Sequence, residues 1–244
     1  MINSRYFKSL LFIVFVSVLN QVSAQSIDEI ISKHVTAMGG PDKLSKFKSL
    51  KMISNMSVKN MSMPVSTIVI HDRAFRTETT VENMTIVQAV NGNKGWMINP
   101  MAGESKAVAL PEEAVKQYGA QTDLTGLYNY KEKGYTIALD GEQDLAGAKV
   151  YKLVVTMKNG VKQENYVSKD TYYILKVVAT VPVNGQEIKT ENLQSDFRQI
   201  EGITFPFSSE ISTSAMPGTK MVNKIETVEI NPKIDEAIFA MPNQ

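Results

Sequence analysis

The sequence has few residues that could perform acid–base or nucleophilic chemistry. It contains no cysteine and two histidines, His34 and His71, so thiol nucleophiles, disulfides and zinc ribbons are excluded. No serine lies in the Gly-x-Ser-x-Gly pattern of a nucleophile elbow, and no phosphate-binding loop is present. Asp72 beside His71 is typical of a turn, and His34 lies among the apolar residues of a predicted helix. These residues favour a protein that is not an enzyme and needs no cofactor.

Methionine is the residue type with the most uneven distribution. Eight of the methionines lie between Met38 and Met101. Thioethers are soft ligands for Cu(I), and Met61 and Met63, two residues apart on a predicted strand, would project to one side. Methionine also fills irregular apolar space and rearranges easily. Core packing, the lining of an apolar groove and copper binding are therefore three alternatives for this cluster.

Residues 1–24 have the three-part pattern of a secretory signal peptide. Two basic residues precede an apolar run that begins at Leu10, and the segment ends in Val22-Ser23-Ala24. The apolar run has about 10 residues, whereas a membrane-spanning helix needs about 20. We therefore expect cleavage after Ala24 and a soluble exported protein. An exported chain without cysteine fits the bacterial periplasm better than an oxidising extracellular space.

The charge balance gives no sign of a nucleic-acid partner. The chain has 26 Lys and Arg against 25 Asp and Glu, and removal of Arg5 and Lys8 with the signal peptide leaves 24 against 25. A near-neutral protein has no net attraction for a phosphate backbone or an anionic membrane surface. Residues 25–244 are expected to form a single domain, because no Pro- or Ser-rich linker divides them.

The first part of the mature chain predicts two helices. Ser26 and Glu29 form a capping box, followed by apolar residues at helical spacing and then by Gly39-Gly40, which would end the helix after about 13 residues. A short second helix is predicted over 42–47, after Pro41.

From Leu50 onward the apolar period changes to two, which predicts strands. The short connections between them indicate an antiparallel meander. Residues 101–130 interrupt the pattern and are predicted to be an insertion with helical pieces. The predicted strands are 50–58, 61–70, 75–81, 84–90, 95–99, 135–139, 149–157, 163–168, 173–181, 186–197, 205–214 and 220–230.

So many strands cannot lie flat beneath a few short helices. At about 4.8 Å per strand the sheet would be more than about 50 Å wide, whereas each helix is about 10 Å across. The sheet must therefore curl around the helices and leave an apolar groove, which is a suitable site for an apolar ligand. Apolar residues that are predicted to be buried can also belong to an ordinary hydrophobic core. The residues expected to line the groove are Met52, Met56, Met61, Met63, Trp96, Ile98, Leu153, Val155, Phe205 and Phe207.

Three segments of the chain resemble a known family. The first helix ends in Met38-Gly39-Gly40 and is followed by a Lys-Leu-Ser-Lys-Phe-Lys-Ser-Leu run, 43–50, that enters the first strand. Residues 91–100 contain a Gly-x-x-Gly-Trp strand, and the chain closes with Asn231-Pro232 and, further on, Phe239. Together these segments resemble the periplasmic outer-membrane lipoprotein-sorting proteins of the LolA/LolB-like superfamily.

The resemblance implies a mainly β fold. The expected architecture is an incomplete, half-open antiparallel barrel of about 11 strands, with a few short helices forming a lid over a hydrophobic cavity. It also implies a monomeric carrier that binds lipoprotein acyl chains or other lipid for transfer toward the outer membrane, with an inner-membrane donor and an outer-membrane acceptor as partners. An envelope sensor or accessory binding module with the same fold is the alternative.

Overall fold

The structure of the protein is a computed structural model that describes residues 26–183 and 186–242. The predicted signal peptide, 1–24, and its cleavage after Ala24 lie outside these residues, as do Asn184 and Gly185. Within the described ranges, no helix is both long enough and apolar enough to cross a membrane.

The first helix begins and ends close to the predicted positions. The Glu29 backbone N–H donates a hydrogen bond of 3.2 Å to the Ser26 hydroxyl, which satisfies one of the free N–H groups of the first turn. The helix buries Ile30 and Val35 and ends just before Gly39. The α-helices of the described chain are α1 (Ile27–Ala37), α2 (Pro41–Leu44) and α3 (Glu112–Gly119), with 3-10 turns at Pro100–Ala102, Ala120–Thr122 and Glu236–Phe239.

Thirteen strands are present in the described residues, and twelve of them match predicted strands. They are β1 (Ser49–Val58), β2 (Met61–Ile70), β3 (Ala74–Val81), β4 (Met84–Asn91), β5 (Lys94–Asn99), β6 (Glu104–Ala109), β7 (Thr136–Leu145), β8 (Ala148–Thr156), β9 (Lys162–Ser168), β10 (Ile174–Val183), β11 (Gln186–Ile200), β12 (Ile203–Thr213) and β13 (Lys220–Ile230).

The missed strand is β6, which lies in the segment predicted to be an insertion with helical pieces. Only Ala107 is buried in β6, so its sequence lacks the alternation of large apolar side chains that marks a half-buried strand. The helical part of the prediction is confirmed by α3. The described residues thus form one strand more than the twelve that the sequence pattern predicts.

All thirteen strands form one antiparallel sheet. Their order is β6-β5-β4-β3-β2-β1-β13-β12-β11-β10-β9-β8-β7. The first and last strands of the chain, β1 and β13, pair at the centre, and the sheet does not close, because β6 and β7 are its two edges. The predicted fold class, a half-open antiparallel barrel with a few short helices, is confirmed.

The main core lies between the helices and one side of this sheet. Ile30 and Val35 of α1 belong to the same buried cluster as Leu50, Val69 and Leu153 of the strands. We call this side of the sheet the helix-facing side. Directly paired residues of antiparallel strands share a side of the sheet, so the strand register extends the assignment to residues outside the cluster.

The opposite side, which we call the outer side, carries two smaller clusters. One contains Val87 and Trp96, and the C-terminal 3-10 turn covers it. The Trp96 indole N–H donates a hydrogen bond of 3.0 Å to the Phe239 carbonyl oxygen, and the Arg76 guanidinium donates one of 2.8 Å to the Ile238 carbonyl oxygen. The other cluster contains Val150.

Candidate functional site

A continuous line of paired residues crosses the helix-facing side of eight neighbouring strands. We call it the diagonal row, and its members are Met61, Val58, Met221, Ile211, Asn192, Val177, Asn165 and Leu153. Each member is directly paired with the next, so all of them share the side of Leu153. The row is about 34 Å long at the usual strand spacing.

The diagonal row runs from the surface into the core. At its first member, Met61, 51% of the side chain's surface is exposed, whereas Leu153, at the far end, is completely buried. The residues between them on β10–β13 include three apolar side chains, Val177, Ile211 and Met221, and all three are half-buried. The row therefore forms an apolar track that leads from an open rim to the covered interior.

A second line of paired residues lies beside the first. We call it the second row, and it contains Met63, Met56, Asn223, Ser209 and Gln194. Gln194 also lines a cavity of about 220 Å³ beneath α1 and α2. The second row thus joins the methionine-rich rim to a space under the helices. The residues that line this cavity include His34, Met38, Leu44, Phe47, Leu124, Ile174, Phe197, Ile203 and Phe205.

The helices are tied to the sheet on both sides of this cavity. The His34 imidazole N–H donates a hydrogen bond of 2.8 Å to the Tyr172 carbonyl oxygen, and burial lowers the pKa of His34 below its ordinary value. The Thr204 hydroxyl donates a hydrogen bond of 2.9 Å to the Ala37 carbonyl oxygen. His34 is therefore a neutral structural group within the roof of the groove.

A close backbone contact also positions the end of α1. Gly39 has a φ of +129°, a conformation that side chains disfavour. A Cβ atom at Gly39 would overlap the carbonyl oxygen of Gly202, in the turn between β11 and β12. Glycine at this position therefore lets α1 approach the sheet closely.

The segment after α3 is held by a buried carboxylate. Asp123 accepts hydrogen bonds of 2.7 Å from the Lys133 ammonium and 2.9 Å from the Tyr135 hydroxyl, and burial raises the pKa of Tyr135. His71, Asp72 and Asp123 are close enough to share a metal ion. Asp123 already neutralises Lys133, however, and the Leu124 N–H donates to the His71 Nδ1 atom at 3.2 Å. These contacts give the cluster a structural role, which is to hold the segment after α3 in place.

The structure separates nine of the ten predicted lining residues into three groups, and Phe207 belongs to none of them. Met52 and Phe205 pack against the main cluster, and Leu153 and Val155 are buried members of it. Met56, Met61 and Met63 lie on the open part of the helix-facing side. Phe207 is buried outside the main cluster, with the Arg198 guanidinium 4.6 Å from its ring centroid.

Trp96 and Ile98 form the third group, because they lie on the outer side of the sheet. Met97 faces the helices instead. It pairs with Gln88, whose side-chain amide donates a hydrogen bond of 2.9 Å to the Tyr118 hydroxyl of α3. Successive side chains of a strand lie on opposite sides of the sheet, so a prediction that is wrong by one residue assigns a side chain to the wrong side. The structure thus removes Trp96 and Ile98 from the predicted groove.

Sequence reasoning missed the parts of the two rows that lie on β11, β12 and β13. Met221, Ile211 and Asn192 lie on the diagonal row, and Asn223 lies on the second row. The alternation of apolar residues in 220–230 could have indicated Met221. It could not have indicated the asparagines, because asparagine is uncommon in strands and breaks the apolar pattern.

A protein-family comparison places the chain in a family. The family model, whose description is that of an uncharacterized protein, matches residues 73–243, which is more than half of the chain. The chain belongs to that family. None of the curated proteins matches the sequence.

Several solved structures share the fold of this protein. A DUF1329 family protein from Desulfovibrio piger has a TM-score of 0.58 at 15% identity, covering 88% of this chain and 97% of its own. A LolA superfamily protein from Nitrosomonas europaea has a TM-score of 0.58 at 12% identity, covering 86% and 96%. A domain from Vibrio parahaemolyticus, described as an outer membrane lipoprotein-sorting protein, has a TM-score of 0.53 at 13% identity, covering 86% and 94%. The predicted LolA-like resemblance is confirmed at the level of the fold.

Proposed function

We propose that this family member is an exported periplasmic carrier that binds lipoprotein acyl chains, or another lipid, and moves them toward the outer membrane without catalysis. The observation that carries the proposal is the diagonal row, an apolar track that the helices cover at one end and leave open at the other. The fold shared with a lipoprotein-sorting domain supports it, as does the signal-peptide pattern of residues 1–24.

The energetics of acyl-chain burial fit such a role. Each buried CH₂ group contributes about 0.8 kcal/mol, so a chain of about 16 carbons gains on the order of 10 kcal/mol when it leaves water. The cavity of about 220 Å³ beneath α1 and α2 is smaller than the ~300–1,000 Å³ of typical ligand pockets. A long chain therefore needs the open part of the groove, or a movement of the helices away from the sheet.

The rim residues suit repeated loading and release. Met56 is directly paired with Met63, and both side chains are half-buried. Thioether side chains adapt to a flexible ligand at little conformational cost. We infer that the ligand enters across these methionines and that its far end lies beneath the helices, near Phe205.

The experiment compares two neighbouring positions on β1. Purified mature protein is titrated with a fluorescent fatty acid, and the titration is repeated with Met56→Glu and with Ser57→Glu. Met56 faces the groove, whereas Ser57 points to the outer side, so we expect Met56→Glu to weaken uptake at least tenfold and Ser57→Glu to leave it unchanged. Phe205→Glu should also reduce uptake. Equal uptake by all the variants would refute the proposal that the helix-facing side binds the fatty acid.

The sensor alternative differs in what happens to the bound lipid. A carrier purified with its lipid should release that lipid into acceptor vesicles, and the lipid should be identified by native mass spectrometry of periplasmic material. A sensor or accessory module would instead hold a protein partner stably while its groove stayed empty. Failure of the bound lipid to move into vesicles would therefore count against carriage.

A further inference from the structure

Three buried amide oxygens on the helix-facing side accept no hydrogen bond from residues 26–183 or 186–242. They are the Oδ1 atoms of Asn165, Asn192 and Asn223. Asn165 is almost completely buried, with 1% of its surface exposed. Buried acceptors are nearly always paired in folded proteins, and an unpaired one destabilises the fold. Three such atoms on one side of one sheet therefore need a common explanation.

The register places these asparagines along the proposed lipid track. Asn165 and Asn192 belong to the diagonal row, where both are paired with Val177 of the strand between them. Their backbones are about 10 Å apart at normal strand spacing. Asn223 lies on the second row, beside Met56, about 12 Å from Asn192 by the same spacing. The three amides therefore follow the track from the rim to the interior.

The directly paired neighbours of Asn165 and Asn192 are apolar and carry no side-chain donor. Asn223 is paired with Ser209, but the Ser209 hydroxyl does not donate to its Oδ1 atom. Asn165 is flanked by Leu153 and Val177, and Asn192 by Val177 and Ile211. Asparagine is disfavoured in strands relative to β-branched residues, and leucine or valine would fill these positions without an unpaired oxygen. A purely apolar ligand, such as a saturated chain, would leave these oxygens unpaired as well.

We propose that the groove selects acyl chains that carry hydrogen-bond donors, either hydroxyl groups or amide N–H groups, and that Asn165, Asn192 and Asn223 accept from them. The inference rests on the proposed lipid-binding function and specifies its ligand. A donor near the head of the chain would reach Asn223 at the rim, and a donor further along the chain would reach Asn192 or Asn165.

The test uses two pairs of probes that differ only in a donor. 12-Hydroxystearic acid is compared with 12-methoxystearic acid, which has an oxygen but no O–H. A secondary amide with two alkyl chains is compared with the ester of the same length. Affinities for the mature protein are measured by displacement of a fluorescent fatty acid. We expect the donor-bearing member of at least one pair to bind about tenfold more tightly, which corresponds to one added hydrogen bond.

The variants assign the preference to individual residues. Asn165→Leu, Asn192→Leu and Asn223→Leu keep the number and branching of the side-chain heavy atoms and lack the acceptor. We expect at least one of them to lose the donor preference, so that it binds the two members of a probe pair with equal affinity. Asn192 and Asn223 are only half-buried, so their variants preserve the test if Asn165→Leu fails to fold, which circular dichroism would detect.

The outcomes separate this inference from the function on which it rests. If the two members differ in affinity only in the hydroxyl pair, the ligand is a hydroxylated chain. If they differ only in the amide pair, the ligand is an amide-linked chain. If stearic acid binds and neither pair separates, the asparagines hold water or nothing, and the inference is overturned. If no probe binds, stearic acid included, the proposed lipid-binding function itself fails.

Discussion

The covered and open parts of the helix-facing side are built from different residues. Beneath α1 and α2 the sheet meets aromatic and branched side chains such as Phe47 and Ile30, which are almost completely buried. Toward the rim the same side presents Met56, Met63 and Asn223, which are half-buried. The first set packs with fixed shapes and provides stability, whereas the second set is adaptable. One side of one sheet thus combines a core with the proposed binding surface.

The largest difference between the two parts should be in stability. The Phe47 ring contacts the Phe205 ring edge-to-face, with centroids 5.9 Å apart. Phe47→Ala should lower the free energy of unfolding by about 3–5 kcal/mol, the usual cost of emptying a large buried site. Met56→Ala, in the open part, should cost less than about 1 kcal/mol because the side chain is partly in water. Urea denaturation measures both free energies of unfolding. Equal losses of stability in the two variants would contradict the difference between the covered and open parts.

The next effect concerns the attachment of the roof. Gly39→Ala places a side chain at φ +129° and against the Gly202 carbonyl oxygen. We expect a loss of about 1–3 kcal/mol from the backbone conformation, in addition to that overlap. Gly40 also has a positive φ, but a Cβ atom there would meet nothing within 4 Å. Gly40→Ala is therefore the matched control, and its loss of stability, measured by thermal unfolding, should be clearly smaller than that of Gly39→Ala. A smaller loss in Gly39→Ala than in Gly40→Ala would contradict the close approach of α1.

A pH-dependent effect should arise from His34 in the covered part. Burial lowers its pKa in the folded protein below the ordinary value of about 6.5, so the unfolded state takes up the proton first. The contribution of neutral His34 is therefore present above about pH 6.5 and is lost as the pH falls toward its folded pKa.

His34→Asn keeps a side-chain donor without this titration. Its unfolding free energy between pH 7 and pH 5 should fall less steeply than that of the unchanged protein. Because all other groups are the same in both proteins, the difference between the two slopes isolates His34. Identical slopes would show that protonation of His34 does not oppose folding.

The smallest effect is expected from exchanging rim methionines for leucine. Met56→Leu with Met63→Leu conserves volume and apolar character, so the free energy of unfolding should change by less than about 1.5 kcal/mol. The rim methionines also test the copper hypothesis, because paired thioethers could bind Cu(I). Anaerobic cuprous titration should show no stoichiometric binding. Stoichiometric binding that disappears in Met61→Leu with Met63→Leu would favour a copper protein over a lipid carrier.

Much of the fold could be predicted because its signals are local. The capping residue Ser26, the Gly39-Gly40 pair and the period-two patterns each act within a few residues, so α1 and most of the twelve strands are predicted close to their observed bounds. The exception is β7, which extends to Leu145 whereas the predicted strand ends at 139. The edge strand β6 was missed because its side chains are small or exposed. The candidate site was harder to predict, since Trp96 and Ile98 form a plausible apolar pair that packs on the other side of the sheet.

The sequence by itself determined the element order, the antiparallel sheet and the excess of strands over helices, because these depend on periodicity and on the lengths of connections. Only the tertiary structure decided which residues share a track. Met61 and Leu153 are far apart in the chain, and the pairing of β1 with β13 brings their strands into one continuous ladder. A side chain's direction depends on a register set by such long-range pairing, so the line of Asn165, Asn192 and Asn223 becomes visible only in the folded sheet.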